Sequence, residues 1–240
     1  MGVRIAVISD IHGNHYALSK VLENIKESDV DGIYCLGDIV SLGHQTGKVM
    51  DALHQLENIK FIQGNHDDEV VKAFRGRTSN VKGPEHEHHL YIADHIHQEY
   101  IQMLESLPLT ETAEIYGHNI LMTHYHLDGN SLYIPIDDEP TLASLQKHYD
   151  NSRYDVILFG HDHISLHLED ENRLFINPGA LGVTVDEFSP YTIMELGADG
   201  AIDLEFKKVS YDRDSFIKEL RDENPPALDF ILKVLLKEEG

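Results

Sequence analysis

Residues 4–14 read Arg-Ile-Ala-Val-Ile-Ser-Asp-Ile-His-Gly-Asn, and the fold turns on how this stretch is read. Its β-branched run (Ile5, Val7, Ile8) signals a short strand that stops at Asp10. The next segment places Leu18, Val21, Leu22 and Ile25 on one helical face. Gly32 to Leu36 is apolar again, Val49, Met50, Leu53 and Leu56 recur at helical spacing, and Ile59 to Ile62 returns to strand. A β-α-β-α-β rhythm of this kind predicts an α/β fold with parallel strands and right-handed crossovers.

The residues at the carboxyl end of each apolar strand carry the chemistry. Successive strands end at Asp10, Asp38, Asn65, His124 and His161. In open α/β sheets ligands sit beyond the carboxyl ends of the strands, so these side chains are expected to converge there. Asp10-Ile-His12 and His161-Asp-His163 each put two donors at i and i+2, on one side of an extended backbone. Gly13, Gly37, Gly64 and Gly160 allow the chain to pass close to a bound group. The donor inventory is two carboxylates, one amide oxygen and four imidazoles, with no thiolate. Such a shell suits manganese, iron, nickel, cobalt or zinc better than calcium or magnesium. Seven donors exceed one tetrahedral site and suit two sites sharing a carboxylate. Two ions about 3.5–4 Å apart form a clamp for in-line displacement at phosphorus.

Outward from these motifs, residues 75–84 read as a loop and Glu85 to Leu104 as one polar helix. The expected inner stripe of that helix is Leu90, Ala93, Ile96, Tyr100 and Leu104. Strands are expected near 113–116, 119–123, 155–159, 174–176, 191–196 and 202–206, with a helix at 141–149. The tail from Asp214 to Glu239 reads as helix broken at Pro225-Pro226. No repeat or long linker divides the 240 residues, so one domain over 1–240 is expected.

Composition narrows the function. Asp and Glu outnumber Lys and Arg by 42 to 19, a net charge of −23 that argues against a long nucleic acid partner. No stretch reaches membrane length. The single cysteine, Cys35, forms no intrachain disulfide and suits a reducing, cytoplasmic setting. Seventeen histidines are more than the seven-donor set uses. His86, His88, His89, His95 and His97 spread around the predicted polar helix and are expected on a solvated face. Arg75, Arg77 and Lys82 form a basic segment soon after His66, either a connector paired with glutamates or a grip on remote phosphates. His126, next to Tyr125, is a further candidate for substrate contact.

Asp10-Ile-His-Gly-Asn14, Gly37-Asp38-Ile-Val-Ser-Leu-Gly43, Gly64-Asn65-His66-Asp67, Thr123-His124 and Gly160-His161-Asp-His163 stand in the order found in calcineurin-like metallophosphoesterases. The resemblance runs from Arg4 to about Gly182, where Asn177-Pro178-Gly179-Ala180 resembles the closing turn, and is nearest the small bacterial phosphodiesterase-like branch. It implies an αββα sandwich of two mixed sheets flanked by helices, with residues 190–240 completing the domain. It also implies that Asp10, His12, Asp38 and His163 hold one metal and that Asp38, Asn65, His124 and His161 hold a second, manganese being the default. His66 resembles the catalytic histidine beside a metal-bridging hydroxide, and Asp67 is expected to orient His66 or an outer group. The implied activity is hydrolysis of a small phosphodiester or phosphoanhydride, with dinucleoside polyphosphates and phosphomonoesters as alternatives. A homo-oligomer is compatible with the sequence. A protein-binding adaptor on the same fold is the rival from another class, and it would not need a complete donor set.

Overall fold

The strand that opens the chain lies at the centre of a sheet. In the computed structural model, which describes residues 2–150 and 152–238, β1 (Gly2–Ile8), β2 (Gly32–Cys35) and β3 (Ile59–Phe61) run parallel. Strand β9 (Phe188–Gly197) pairs antiparallel with β1, and β10 (Ile202–Ser210) pairs with β9, giving the order β10-β9-β1-β2-β3. A second sheet holds β4 (Thr110–Ile115), β5 (His118–Thr123), β6 (Val156–Leu158), β7 (Leu166–Glu169) and β8 (Leu174–Asn177) in the order β4-β5-β6-β8-β7. Here β5, β6 and β8 are parallel and the two edge strands antiparallel.

The two-residue period of each strand sorts its side chains into layers. Ile5 and Val7 meet Ile120, Met122, Val156 and Leu158 between the sheets. Ala6 and Ile8 face the other way, onto Leu18 and Val21 of α1 (His15–Glu27) and Val49 and Met50 of α2 (Thr46–His54). On the far side, Leu121, Ile157 and Phe175 pack against Leu145 of α6 (Leu142–His148). Each such side chain, once buried, stabilises by roughly 1.5–3 kcal/mol, so both faces of both sheets are committed. The result is the αββα sandwich of two mixed sheets. Burial also pushes the Cys35 thiol up, so it stays protonated. Among the described residues no helix is long and apolar enough to cross a membrane.

Three segments differ from the expectation. The polar helix is two helices, α4 (Pro84–His95) and α5 (Gln98–Ser106), because Ile96 and His97 are extended, with ψ of 142° and 141°. Leu90 is 42% exposed, and the inner face of α4 is His88, His89, Ile92 and Ala93. Strand β7 is additional to the expected strands, since Leu-His-Leu-Glu alternates over only four residues at a sheet edge. In the tail, α7 (Arg213–Glu223) ends at a left-handed Asn224 before Pro225-Pro226. A short α8 (Leu228–Phe230) then widens into a π-type turn over Ile231–Leu235, and Glu239 lies outside the described residues.

Candidate metal centre

The loops that leave β1, β2, β5, β6 and β8 are tied to one another through their backbones. Asp10 N donates to Gly37 O (3.0 Å), His12 N to Asp38 O (2.9 Å) and Gly160 N to His124 O (2.8 Å). The closing turn after β8 reaches back, Leu181 N to Ser9 O and Gly182 N to Asp10 O, both 2.9 Å. Asn14 caps α1 by accepting from Ala17 N at 3.0 Å and donates to Gly182 O at 2.8 Å. These bonds fix the ends of both sheets at one place.

The side chains gather into two groups. Asp10, His12 and His163 form one, and Asp38, His124 and His161 the other, each with donor atoms within 4.8 Å of one another. His12 Nε2 lies 3.1 Å from His163 Nε2. His124 Nε2 lies 3.2 Å from His161 Nδ1 and 3.0 Å from Asn65 Oδ1. Asp38 Oδ2 borders both groups, at 3.7 Å from His12 Nε2 and 3.2 Å from His124 Nε2. The convergence does not use extended backbone as the i, i+2 spacing suggested. Asp10, His12, Asp38, His161 and His163 all have positive φ, between 47° and 77°. That left-handed conformation is costly for residues with a Cβ, and it turns successive side chains inward.

Several spacings are long for hydrogen bonds and stand a few tenths of an ångström beyond those that a shared cation sets. His12 Nε2 is 3.8 Å from Asp10 Oδ1, and His163 Nε2 is 3.5 Å from the same oxygen. Donors about 2.1 Å from a common ion lie about 3.0–3.4 Å from one another, depending on geometry. Asp10, His12, Asp38 and His124 are wholly buried, and among the described residues the two carboxylates have no countercharge there but protons on the histidines. Burial opposes ionisation of Asp10, yet the neighbouring His163 holds its carboxyl at about 2. Burial lowers the His124 imidazole, but the Asp38 carboxylate prevails and raises it to about 9. His124 Nδ1 donates to Leu36 O at 2.7 Å, which leaves Nε2 as the nitrogen that faces the cluster. The residues therefore fit a pair of divalent ions.

Residues 3–199 match the calcineurin-like phosphoesterase superfamily domain. The chain belongs to that superfamily. Among curated proteins, it is 29% identical over 225 residues to an uncharacterized protein of Methanocaldococcus jannaschii, covering 87% of this chain and 88% of that protein. A shorter stretch of 80 residues is 36% identical to a symmetrical bis(5'-nucleosyl)-tetraphosphatase of Buchnera aphidicola, covering 32% and 29% of the two chains. Among solved structures, a metallophosphoesterase from Sphaerobacter thermophilus aligns with a TM-score of 0.74 at 24% identity, covering 97% and 98%. A hypothetical protein from Pyrococcus horikoshii aligns with a TM-score of 0.77 at 20% identity, covering 99% and 100%.

The remaining sequence candidates scatter. His66 sits at the cluster's edge on α3 (Asn65–Arg75), its N donating to Asp38 Oδ1 at 2.9 Å and its ring 5.2 Å from that of His12. Asp67 does not touch the His66 ring in any described bond. Its carboxylate accepts from Ile39 N (2.9 Å), Val40 N (3.1 Å) and Gly64 N (3.0 Å), bracing the Asp38 loop against the start of α3. Arg75 and Arg77 both bind Glu105, at 2.7 and 2.6 Å, while Lys82 is exposed. His126 is buried with Nδ1 2.8 Å from the Tyr149 hydroxyl, its ring packed on Tyr125 and Phe159. Of the five histidines expected on a solvated face, His95 and His97 are exposed and His86 half-buried, but His88 and His89 are 1% exposed. His88 Nδ1 donates to Pro226 O at 2.9 Å, and His89 Nε2 lies 2.9 Å from His66 Nδ1. The signal was present: His88 and His89 precede Ile92 and Ala93 by four residues each and share their helical face. An open groove leads away from His163 between Ile164, Val183, Phe188 and Val234, with Lys208 and Lys237 on its walls.

Proposed function

We propose that this chain is a two-metal-dependent phosphoesterase acting on small phosphodiesters or phosphoanhydrides. The observation that carries the reading is the pair of donor groups joined through Asp38 Oδ2. Asp10, His12, His163 and Asp38 would hold one ion, and Asp38, Asn65, His124 and His161 the other, manganese being the first to test. Such ions supply Lewis-acid polarisation of phosphoryl oxygens and bring the pKa of bound water down to about 7. His66, anchored through Asp38, holds its ring beside that of His12 and would give a proton or hydrogen bond to the leaving oxygen. The groove beyond His163 has room for the organic part of a small ester, with Lys208 and Lys237 lining it alongside Asp162 and Asp186. A chain this acidic rejects long polyanions but not a small phosphorylated substrate drawn to a cationic centre. Its single buried cysteine suits work in the cytoplasm.

Hydrolysis of dinucleoside polyphosphates is a second reading, favoured by the local match to the tetraphosphatase. The test is one panel at equal metal loading: bis(p-nitrophenyl) phosphate, p-nitrophenyl phosphate and a dinucleoside tetraphosphate. Activity on the diester or the anhydride should exceed that on the monoester and vanish on chelation. Asp38→Asn should deplete both ions, Asp10→Asn one. Turnover that survives exhaustive chelation would sink the proposal.

A further inference from the structure

We infer that His89 is a positioning residue for His66: it holds His66 Nδ1 and so commits Nε2 to the reacting phosphoester. The inference deepens the proposed function and rests on His66 acting in that reaction. Helix α4 borders both nitrogens of His66 and bonds one of them. Nδ1 lies 2.9 Å from His89 Nε2, and Nε2 lies 3.8 Å from Glu85 Oε1, one helical turn before His89. The first distance is a hydrogen bond and the second is not. Nε2 is thus the nitrogen left for a substrate, and the His66 side chain is 13% exposed.

The direction of the His66–His89 bond follows from what else His89 touches. Its Nδ1 is buried and has no hydrogen-bond partner among the described residues. A buried N–H without an acceptor costs more than a bare lone pair, so the proton of neutral His89 sits on Nε2. Burial first, and the neighbouring His88 next, keep His89 neutral by lowering it to about 4. His89 Nε2–H therefore donates to His66 Nδ1, and His66 carries its own proton on Nε2. The support behind His89 is rigid. Its neighbour His88 ties α4 to Pro226 O, and Ile92 and Ala93 on the same face are in the main core. His66 is held at both ends, by its N on Asp38 and by its Nδ1 on His89. Among the described residues no carboxylate is hydrogen-bonded to the ring, so a neutral imidazole fixes the tautomer here.

The test compares His89→Leu, His89→Gln, His66→Ala and the double variant His66→Ala/His89→Leu in the full chain loaded with manganese. Leucine fills the space without a donor, and glutamine keeps an N–H. His89→Leu should keep both ions and a wild-type KM while kcat falls about 10–100-fold. His89→Gln should recover most of that loss. The double variant should be no slower than His66→Ala alone, because two residues acting through one bond are not additive. Wild-type kcat in His89→Leu, no recovery in His89→Gln, additive losses, or a third ion held by His66, Glu85 and His89 would each overturn the inference. A readout without turnover separates it from the proposed function. Imidazole ¹⁵N spectra of metal-free protein should show the His66 proton on Nε2 in the wild type and shared between both nitrogens in His89→Leu. An unchanged tautomer overturns the positioning role even if the enzyme is active. If the expected spectra come with no hydrolysis of any substrate, the proposed function has failed and the His66–His89 bond has not.

Discussion

The close approach of Gly64 to Asp38 gives a perturbation with a calculable size. Gly64 has an ordinary φ of −88°, so alanine is allowed by its backbone, and the obstacle is space. A Cβ there would run into the Asp38 backbone N and Oδ1 and stand 2.8 Å from Asp38 Cγ. Carbon atoms prefer about 3.5–4.0 Å, so the two loops must part by roughly 0.7 Å or more. Neither loop yields easily, because His12 N holds Asp38 O and the Asp67 carboxylate clamps Gly64 N to Ile39 and Val40. Overpacking costs about 1–3 kcal/mol, and a clash with backbone belongs at the upper end. In a chain of this size each kcal/mol moves Tm by about 2–4 °C, so Gly64→Ala should melt about 6–12 °C lower. The same shift exceeds the roughly 0.5 Å that a preorganised site tolerates, so turnover should fall about 100-fold or more. Gly47 in α2 supplies the control, since nothing lies within 4 Å of its Cβ position. Gly47→Ala should gain about 0.5–1 kcal/mol. Melting in chelator reads the fold alone, and metal content with turnover reads the site. If Gly64→Ala melts within about a degree of wild type, the packing argument for the Asp38 loop is wrong.

His66→Ala should retain both ions, measured by elemental analysis, and lose about 10²–10⁴-fold in kcat. The buried His126, lowered by burial to about 3, gives the fold an acid sensitivity. Its folded pKa lies below the unfolded 6.5, so its contribution is complete above pH 6.5 and is lost as pH falls toward 3. At pH 5 that amounts to about 2 kcal/mol, and His126→Gln, which can keep a bond to Tyr149, should flatten the urea-midpoint profile between pH 7 and 5. Arg75→Ala with Arg77→Ala should leave KM for a dinucleoside tetraphosphate within about twofold, because Glu105 already holds both guanidiniums. A tenfold rise would show that these arginines leave Glu105 for the substrate.

How the sequence announced the site has a physical basis. An apolar strand must be hydrophobic along its length when both faces are covered, so its end is marked by the first residue that is not. At β1, β2, β5 and β6 a residue of metal-binding type follows within three positions of the strand's end, and the fold brings those ends together. The reason for convergence was less legible. Five of the donors lie at positive φ, a conformation that no side-chain pattern announces for aspartate or histidine. Glycines gave the only hint, since Gly64 and Gly160 have no room for a Cβ beside Asp38 and Asp10.

The face of α4 departs from the sequence pattern for a reason that bears on the mechanism. Helical patterning treats histidine as polar and assigns it to water, which places Leu90 inside and His88 and His89 outside. A neutral imidazole with a fixed partner is a different object, a flat ring whose remaining surface packs as well as an aromatic. Pro226 O provides that partner for His88, and His66 provides it for His89. Both partners come from elements distant in sequence, so nothing local could reveal them. Leu90 takes the exposed position because the face of α4 that carries His88, His89, Ile92 and Ala93 is the one turned inward. The departure from the hydrophobic pattern on α4 and the support of His66 are thus one feature, and the tautomer of His66 is where it can be measured.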